Sequence, residues 1–208
     1  MLISCSTLAW AARLDITNNC PLHREGRCRS RAAGGSLTTW PLDVAAGTMG
    51  VSIWVRTNCR FDGAGRGSCK TSDCGGLLQC QAYGVSPKTL AEFGLNQYMN
   101  MDYIDMSLIE GFNVPMEFSL TSGGCNWVFK CTADIVGQCP AALKVPGGCN
   151  GPCPVFKTEE HCWNSGSCGP TVYSRYFNDR CPDAYSYPKD DATRACPGGT
   201  NYNVVFCS

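Results

Sequence analysis

The chain has almost no histidine: His23 and His161 are the only two in 208 residues. Mixed Cys/His metal sites and a Ser/His hydrolase therefore have little to draw on, and His161 has no readable acid-base partner nearby. Charged residues are also few, at 16%, and Lys plus Arg equals Asp plus Glu at 17 each. That balance offers no general attraction to nucleic acid or to anionic lipid. No stretch approaches about eighteen consecutive apolar residues, the length a spanning helix needs. No Asn-x-Ser/Thr sequence occurs, so N-glycosylation is not expected. The 44% of hydrophobic residues exceeds what a disordered chain carries.

What is abundant is cysteine, 17 in all, with 23 glycines and 12 prolines. A cytosolic thiol pool would keep so many thiols reduced, whereas an oxidising compartment cross-links them. Cys69, Cys74 and Cys80 stand five and six residues apart, wider than the usual gap of a zinc knuckle. The reading is a disulfide framework in a secreted protein, with no metal and no cofactor. Spacing alone leaves the connectivity open. Residues 1–11 read as a signal-peptide-like segment ending in Ala9-Trp10-Ala11, with Ala12 first in the mature chain. Its removal takes away Cys5 and leaves an even number of cysteines.

Short strands with frequent punctuation dominate the pattern. Leu14–Thr17, Val51–Val55, Val114–Leu120 and Tyr202–Phe206 alternate or carry β-branched and aromatic residues. Two segments read as helix. In Pro87–Gln97, Thr89 and Glu92 have capping-box spacing. The second is Ser174–Cys181, stopped by Pro182. Between Cys125 and Cys168 cysteines are dense, and disulfides are expected to hold that region more than a core does.

The run Gly65–Cys80 (GRGSCKTSDCGGLLQC) resembles the signature of the thaumatin-like proteins, the fifth class of plant pathogenesis-related proteins. Collinear matches follow at Asn19-Cys20-Pro21, Trp54–Cys59, Thr89–Glu92, Asp105–Pro115 (DMSLIEGFNVP), Val145–Asn150, Cys181–Asp191 and Val204–Cys207. The resemblance covers nearly the whole chain after residue 11.

That resemblance implies a mainly β fold, a flattened sandwich of about eleven antiparallel strands with a disulfide-rich second lobe and a small disulfide loop. The thaumatin-like domain is placed at 12–208. Its sandwich is expected over about 12–58, 85–132 and 182–208, its small loop over about 59–84 and its lobe over about 133–181. The pairing it implies is Cys20–Cys207, Cys59–Cys69, Cys74–Cys80, Cys125–Cys196, Cys131–Cys181, Cys139–Cys149 and Cys153–Cys162.

Three departures stand out. Trp163 replaces a cysteine of the family pattern, leaving Cys168 without its expected partner. Cys28 has no counterpart. Residues 22–39 lose the resemblance and carry Arg24, Arg27, Arg29 and Arg31 against Glu25. We read that segment as frameshift-like text outside the core; the alternative is a basic recognition loop.

The resemblance also implies an acidic cleft. Its carboxylates fall on Glu92, Asp105, Glu110 and Asp183, flanked by Phe93, Tyr103 and Phe112, while the position of its arginine falls on Ser52. The cleft is thus expected to keep its negative charge and lose its positive member. Carboxylates can accept hydrogen bonds from sugar hydroxyls, or a pair can serve as glycosidase acid and base. In the second case the pair is Glu92 and Asp105. Outside a site, Glu92 would merely close a capping box, and Asp105 and Asp183 would satisfy buried backbone donors.

The expected function is a secreted, monomeric, antifungal defence protein of the apoplast that binds β-1,3-glucan or fungal wall or membrane components, with no nucleic-acid partner. The end of the chain one residue after Cys207 agrees with that compartment. Alternatives are a weak endo-β-1,3-glucanase and an inhibitor or taste-active interaction protein.

Overall fold

The computed structural model describes residues 10–20, 38–163 and 169–208. Cys5, Cys28, Cys168 and nearly all of the 22–39 segment lie outside the described residues, and so do the expectations placed on them. Among the described residues the chain forms fourteen strands and three short α-helices, so it is mainly β.

The largest sheet has five strands in the order β10 (Val128–Cys131), β9 (Met116–Ser122), β14 (Asn201–Phe206), β1 (Trp10–Asn18), β2 (Thr38–Ala45). Its pairs are antiparallel except β1 with β14, which run parallel, Leu14 opposite Tyr202 and Ile16 opposite Val204. An all-antiparallel sandwich was expected, and this pair departs from it. β1 starts at Trp10, so Trp10 and Ala11 of the expected cleavage signal are its first residues.

A second sheet of four strands runs β13 (Arg194–Pro197), β7 (Met101–Ser107), β6 (Leu90–Gly94), β3 (Val51–Ile53). Strand alternation sends Leu14, Ile16, Met116, Phe118, Tyr202 and Val204 of the first sheet into one core with Ala91, Phe93, Ile104 and Met106 of the second. The Tyr202 hydroxyl donates to Asp102 Oδ2 at 2.7 Å inside that core, tying β14 to β7. Desolvation raises the pKa of both groups.

Smaller elements complete the frame. β4 (Arg60–Phe61) pairs with β5 (Gly67–Ser68), and β8 (Gly111–Phe112) pairs with β12 (Gly148–Asn150), which carries β11 (Lys144–Val145) on its other edge. The helices are α1 (Pro152–Phe156), α2 (Glu159–Cys162) and α3 (Val172–Asn178). α3 begins two residues before the expected helix and ends before Pro182. Thr171 caps it, accepting from Ser174 N, while Ser174 Oγ accepts from Thr171 N.

The segment expected to be the first helix is β6 instead. Thr89 caps nothing: its hydroxyl donates to Val114 O at 2.9 Å and its N–H to Asn113 Oδ1 at 3.1 Å. Pairing on both sides, to β3 and β7, overrides the capping-box spacing.

Among the described residues there are seven disulfides, and all join pairs that the resemblance implied, from Cys20–Cys207 to Cys153–Cys162 in the helical lobe. Their closed loops span 6 to 187 residues, so the long ones restrict the unfolded chain most.

Candidate functional site

The register of β3, β6 and β7 aligns Ser52, Glu92 and Asp105 in one row across the second sheet. Their neighbours along the strands, Phe93, Ile104 and Met106, point to the core, so this row lies on the opposite face. Directly opposed residues on antiparallel strands have Cβ atoms about 4.5–5.5 Å apart, and like charges there repel. Glu92 is steadied from one side, where Ser52 Oγ donates to its Oε1 at 2.7 Å. Asp105 has no such support. Its Oδ1 is buried with no hydrogen-bond partner. Burial, and then the charge of Glu92, push its carboxyl up to about 7. Near pH 5 Asp105 therefore holds a proton.

Glu110, just before β8, stands beside a cation that the sequence did not reveal. Lys88 Nζ lies 3.2 Å from Glu110 Oε2, with the lysine side chain fully buried and the glutamate one third exposed. Ser86 Oγ donates to the same carboxylate oxygen. Burial lowers the Lys88 pKa, while Glu110 and then Glu92 raise it. The expectation that the cleft lacks a positive member is thus corrected. Ser52 brings no charge, but Lys88 brings one from beneath. The ring of Tyr83 covers that ammonium, 4.1 Å from centroid to Nζ. Crowding at the Tyr83 hydroxyl raises its pKa; Ser52 opposes this, and Glu92 and Glu110 add to it.

The other expected residues divide. Tyr103 is exposed on β7 and, two residues from Asp105, shares its face. Asp183 is exposed, two residues before Tyr185, whose N–H bonds Met106 O on β7. Among the described residues it forms no hydrogen bond or ion pair with Glu92, Asp105 or Glu110. Phe93 and Phe112 do not flank the row. At 4% and 2% exposure they belong to the core. Phe93 follows Glu92 on a strand, so one of the two must face inward.

Sequence reasoning missed Lys88, Tyr83 and Ser86. One signal was available: a lysine at the start of the supposed helix opposes the helix dipole and counts against a helix there. Nothing in the sequence points to its burial, since lysine is rarely buried without a partner.

Chemically, the row offers outward carboxylate oxygens to hydroxyl donors. Asp105, its carboxyl pushed up to about 7, lies directly opposite a second carboxyl, that of Glu92.

Residues 3–208 match the Thaumatin family. The chain is 58% identical over 207 residues to a thaumatin-like protein of Actinidia deliciosa, covering 97% of this chain and 91% of that one. Among solved structures, the thaumatin-like xylanase inhibitor TLXI is similar at 24% identity and a TM-score of 0.46, over 94% of this chain and 99% of that one.

Proposed function

Because the chain belongs to the thaumatin family, we propose that it is a secreted plant defence protein that binds β-1,3-glucan of the fungal wall through the Ser52–Glu92–Asp105 row. The family supports the coarser part, a disulfide-rich protein of the pathogenesis-related type. The observation that carries the finer part is the buried, unpartnered Oδ1 of Asp105 beside Glu92. An orphaned acceptor costs stability. Its retention at the edge of a carboxylate row is a cost in stability that fits a residue kept for binding. A polysaccharide supplies many hydroxyl donors and no charge, so it suits a row in which burial and Glu92 push the carboxyl of Asp105 up to about 7.

The test is retention on insoluble β-1,3-glucan at pH 5. Asp105→Ala and Glu92→Gln are expected to weaken it, the first by deleting the carboxyl at the edge of the row and the second by turning an acceptor oxygen at its centre into a donor. Unchanged retention in both, with native circular dichroism, moves the protein to the interaction-protein class.

A second reading, a weak endo-β-1,3-glucanase, draws on the same pair. A carboxyl pushed up to about 7 opposite a second carboxyl fits a general acid and its partner. A reducing-sugar assay on soluble β-1,3-glucan separates the two readings. Under the binding reading wild type releases nothing. Under the enzymatic reading it releases sugar, and Glu92→Gln does not.

A further inference from the structure

With Phe93 and Phe112 in the core, two of the three aromatic rings expected to flank the carboxylate row are closed to any ligand. A different ring stands open there. Tyr83 is 56% exposed, yet it is held on several sides. The buried ammonium of Lys88 sits 4.1 Å from its centroid. Trp54 leans against it at 5.4 Å between centroids, tilted by 55°. That ammonium lies 3.2 Å from Glu110 Oε2, so the ring stands over the lysine–glutamate pair of the site, and Glu92 and Glu110 both raise the pKa of its hydroxyl.

The backbone beside it is equally confined. A Cβ on Gly84 would come within 2.7 Å of Trp54 Nε1 and 2.9 Å of Ser72 O, so only glycine fits. The Gly84 carbonyl takes a hydrogen bond from Lys88 Nζ at 2.5 Å.

Two observations meet here. A large aromatic surface is open to solvent, and the same ring is fixed in place before anything binds. An exposed side chain with no task would rotate freely. One pinned by a cation, an indole and a polar edge has already lost that freedom, so covering it costs little further ordering. The pinned face is the inner one, where the ammonium lies. The outer face is the one left for a ligand.

We propose that Tyr83 is the stacking platform of the glycan site. One pyranose ring of a β-1,3-glucan lies with its C–H face on the open side of Tyr83, and its hydroxyls reach Glu92 and Asp105. This rests on the reading of the row as a glucan site and adds its aromatic wall. The hydroxyl of Tyr83 fixes the ring's direction, and the ring itself carries the contact. Covering one ring face, about 60 Å² at about 25 cal/mol per Å², is worth about tenfold in affinity.

The experiment is affinity electrophoresis in gels containing laminarin, a soluble β-1,3-glucan, with Tyr83→Ala, Tyr83→Phe, Glu92→Gln and Tyr98→Ala compared with wild type. Tyr98, 78% exposed in the turn before β7, is the control ring. Tyr83→Ala is expected to bind about tenfold more weakly. Tyr83→Phe and Tyr98→Ala should stay near wild type. Nitration of wild-type protein gives a readout that needs no variant: laminarin should shield Tyr83 and leave Tyr98 reactive, as scored by peptide mapping. If Glu92→Gln weakens binding while Tyr83→Ala does not, the platform is refuted and the row survives as the site. If Tyr83→Phe falls as far as Tyr83→Ala, the hydroxyl and not the ring carries the contact, and the platform is again refuted. If wild type itself ignores laminarin, the glucan reading fails with it.

Discussion

Removing the carboxyl of Asp105 should make the protein more stable at neutral pH, and the size of the gain can be worked out from the site. Its pKa rises from 3.8 to about 7, burial first and the charge of Glu92 second. A carboxyl whose pKa is higher in the folded state binds its proton more tightly there than in the unfolded chain. Stability from this group is then fully present below about pH 4 and is lost as pH rises to about 7. Three units correspond to about 4 kcal/mol, and solvent at the partly open row brings the expected loss to about 2–4 kcal/mol. For a chain of this length that equals a fall in Tm on the order of 4–16 °C. The assay is thermal melting with disulfides intact at pH 4, 5, 6, 7 and 8, for wild type and Asp105→Asn. Other carboxylates also titrate, so the difference between the two proteins is the quantity to read. Wild type should lose Tm relative to Asp105→Asn across pH 4–7, and the gap should level off above about pH 8. Glu92→Gln, which removes the second cause, should shrink the slope and move it to lower pH. Parallel wild-type and Asp105→Asn curves over the whole range would show that Asp105 is an ordinary solvated carboxylate and would sink the argument for a shared proton.

Two further outcomes concern the frame. Tyr202→Phe removes the donor to Asp102 Oδ2 in the core and should cost about 1–3 kcal/mol, read from denaturation midpoints. A loss below about 0.5 kcal/mol would mean that Asp102 finds another donor there. Thr171→Ala removes the cap of α3 and should cost about 0.5–2 kcal/mol, with exchange of the Ser174 amide faster than in wild type. An unchanged exchange rate would show that the cap holds nothing.

The fold was largely legible because its strands declare themselves. Leu14–Thr17, Val51–Val55, Val114–Leu120 and Tyr202–Phe206 all fall wholly or partly in observed strands. The disulfide pairing came from the resemblance and not from spacing, which allows many connectivities. The segment 87–97 failed for a specific reason. Leu90, Ala91, Phe93 and Leu95 are all buried, and apolar residues at those positions suit a helix or a strand in a sheet covered on both faces. The capping-box spacing of Thr89 and Glu92 tipped a tie that long-range pairing decides the other way. Phe93 was offered as a flank of the cleft beside the carboxylates that the resemblance implied; on a strand it and Glu92 part to opposite faces. The carboxylates Glu92 and Asp105 were placed by the motif and do meet, whereas Lys88 and Tyr83 escaped because their part depends on burial, which no local pattern encodes.

The two charge changes in this site fit together. A guanidinium at position 52 would lie in the row beside Glu92 and draw the neighbouring carboxyl toward ionisation. Serine there gives Glu92 a hydrogen bond but supplies no charge, and Asp105 is left to the effects of burial and repulsion. Lys88 does not replace that missing influence, because it is tied to Glu110 and Gly84 below the row. Of the three carboxylates, Glu110 is thus paired with a cation, Glu92 is steadied by a neutral donor, and Asp105, pushed up to about 7, takes up a proton in mildly acidic surroundings. A site so divided presents a donor and acceptors side by side in mildly acidic surroundings, and acceptors alone in alkaline ones. Sugar hydroxyls, which donate and accept alike, match the first state better than the second.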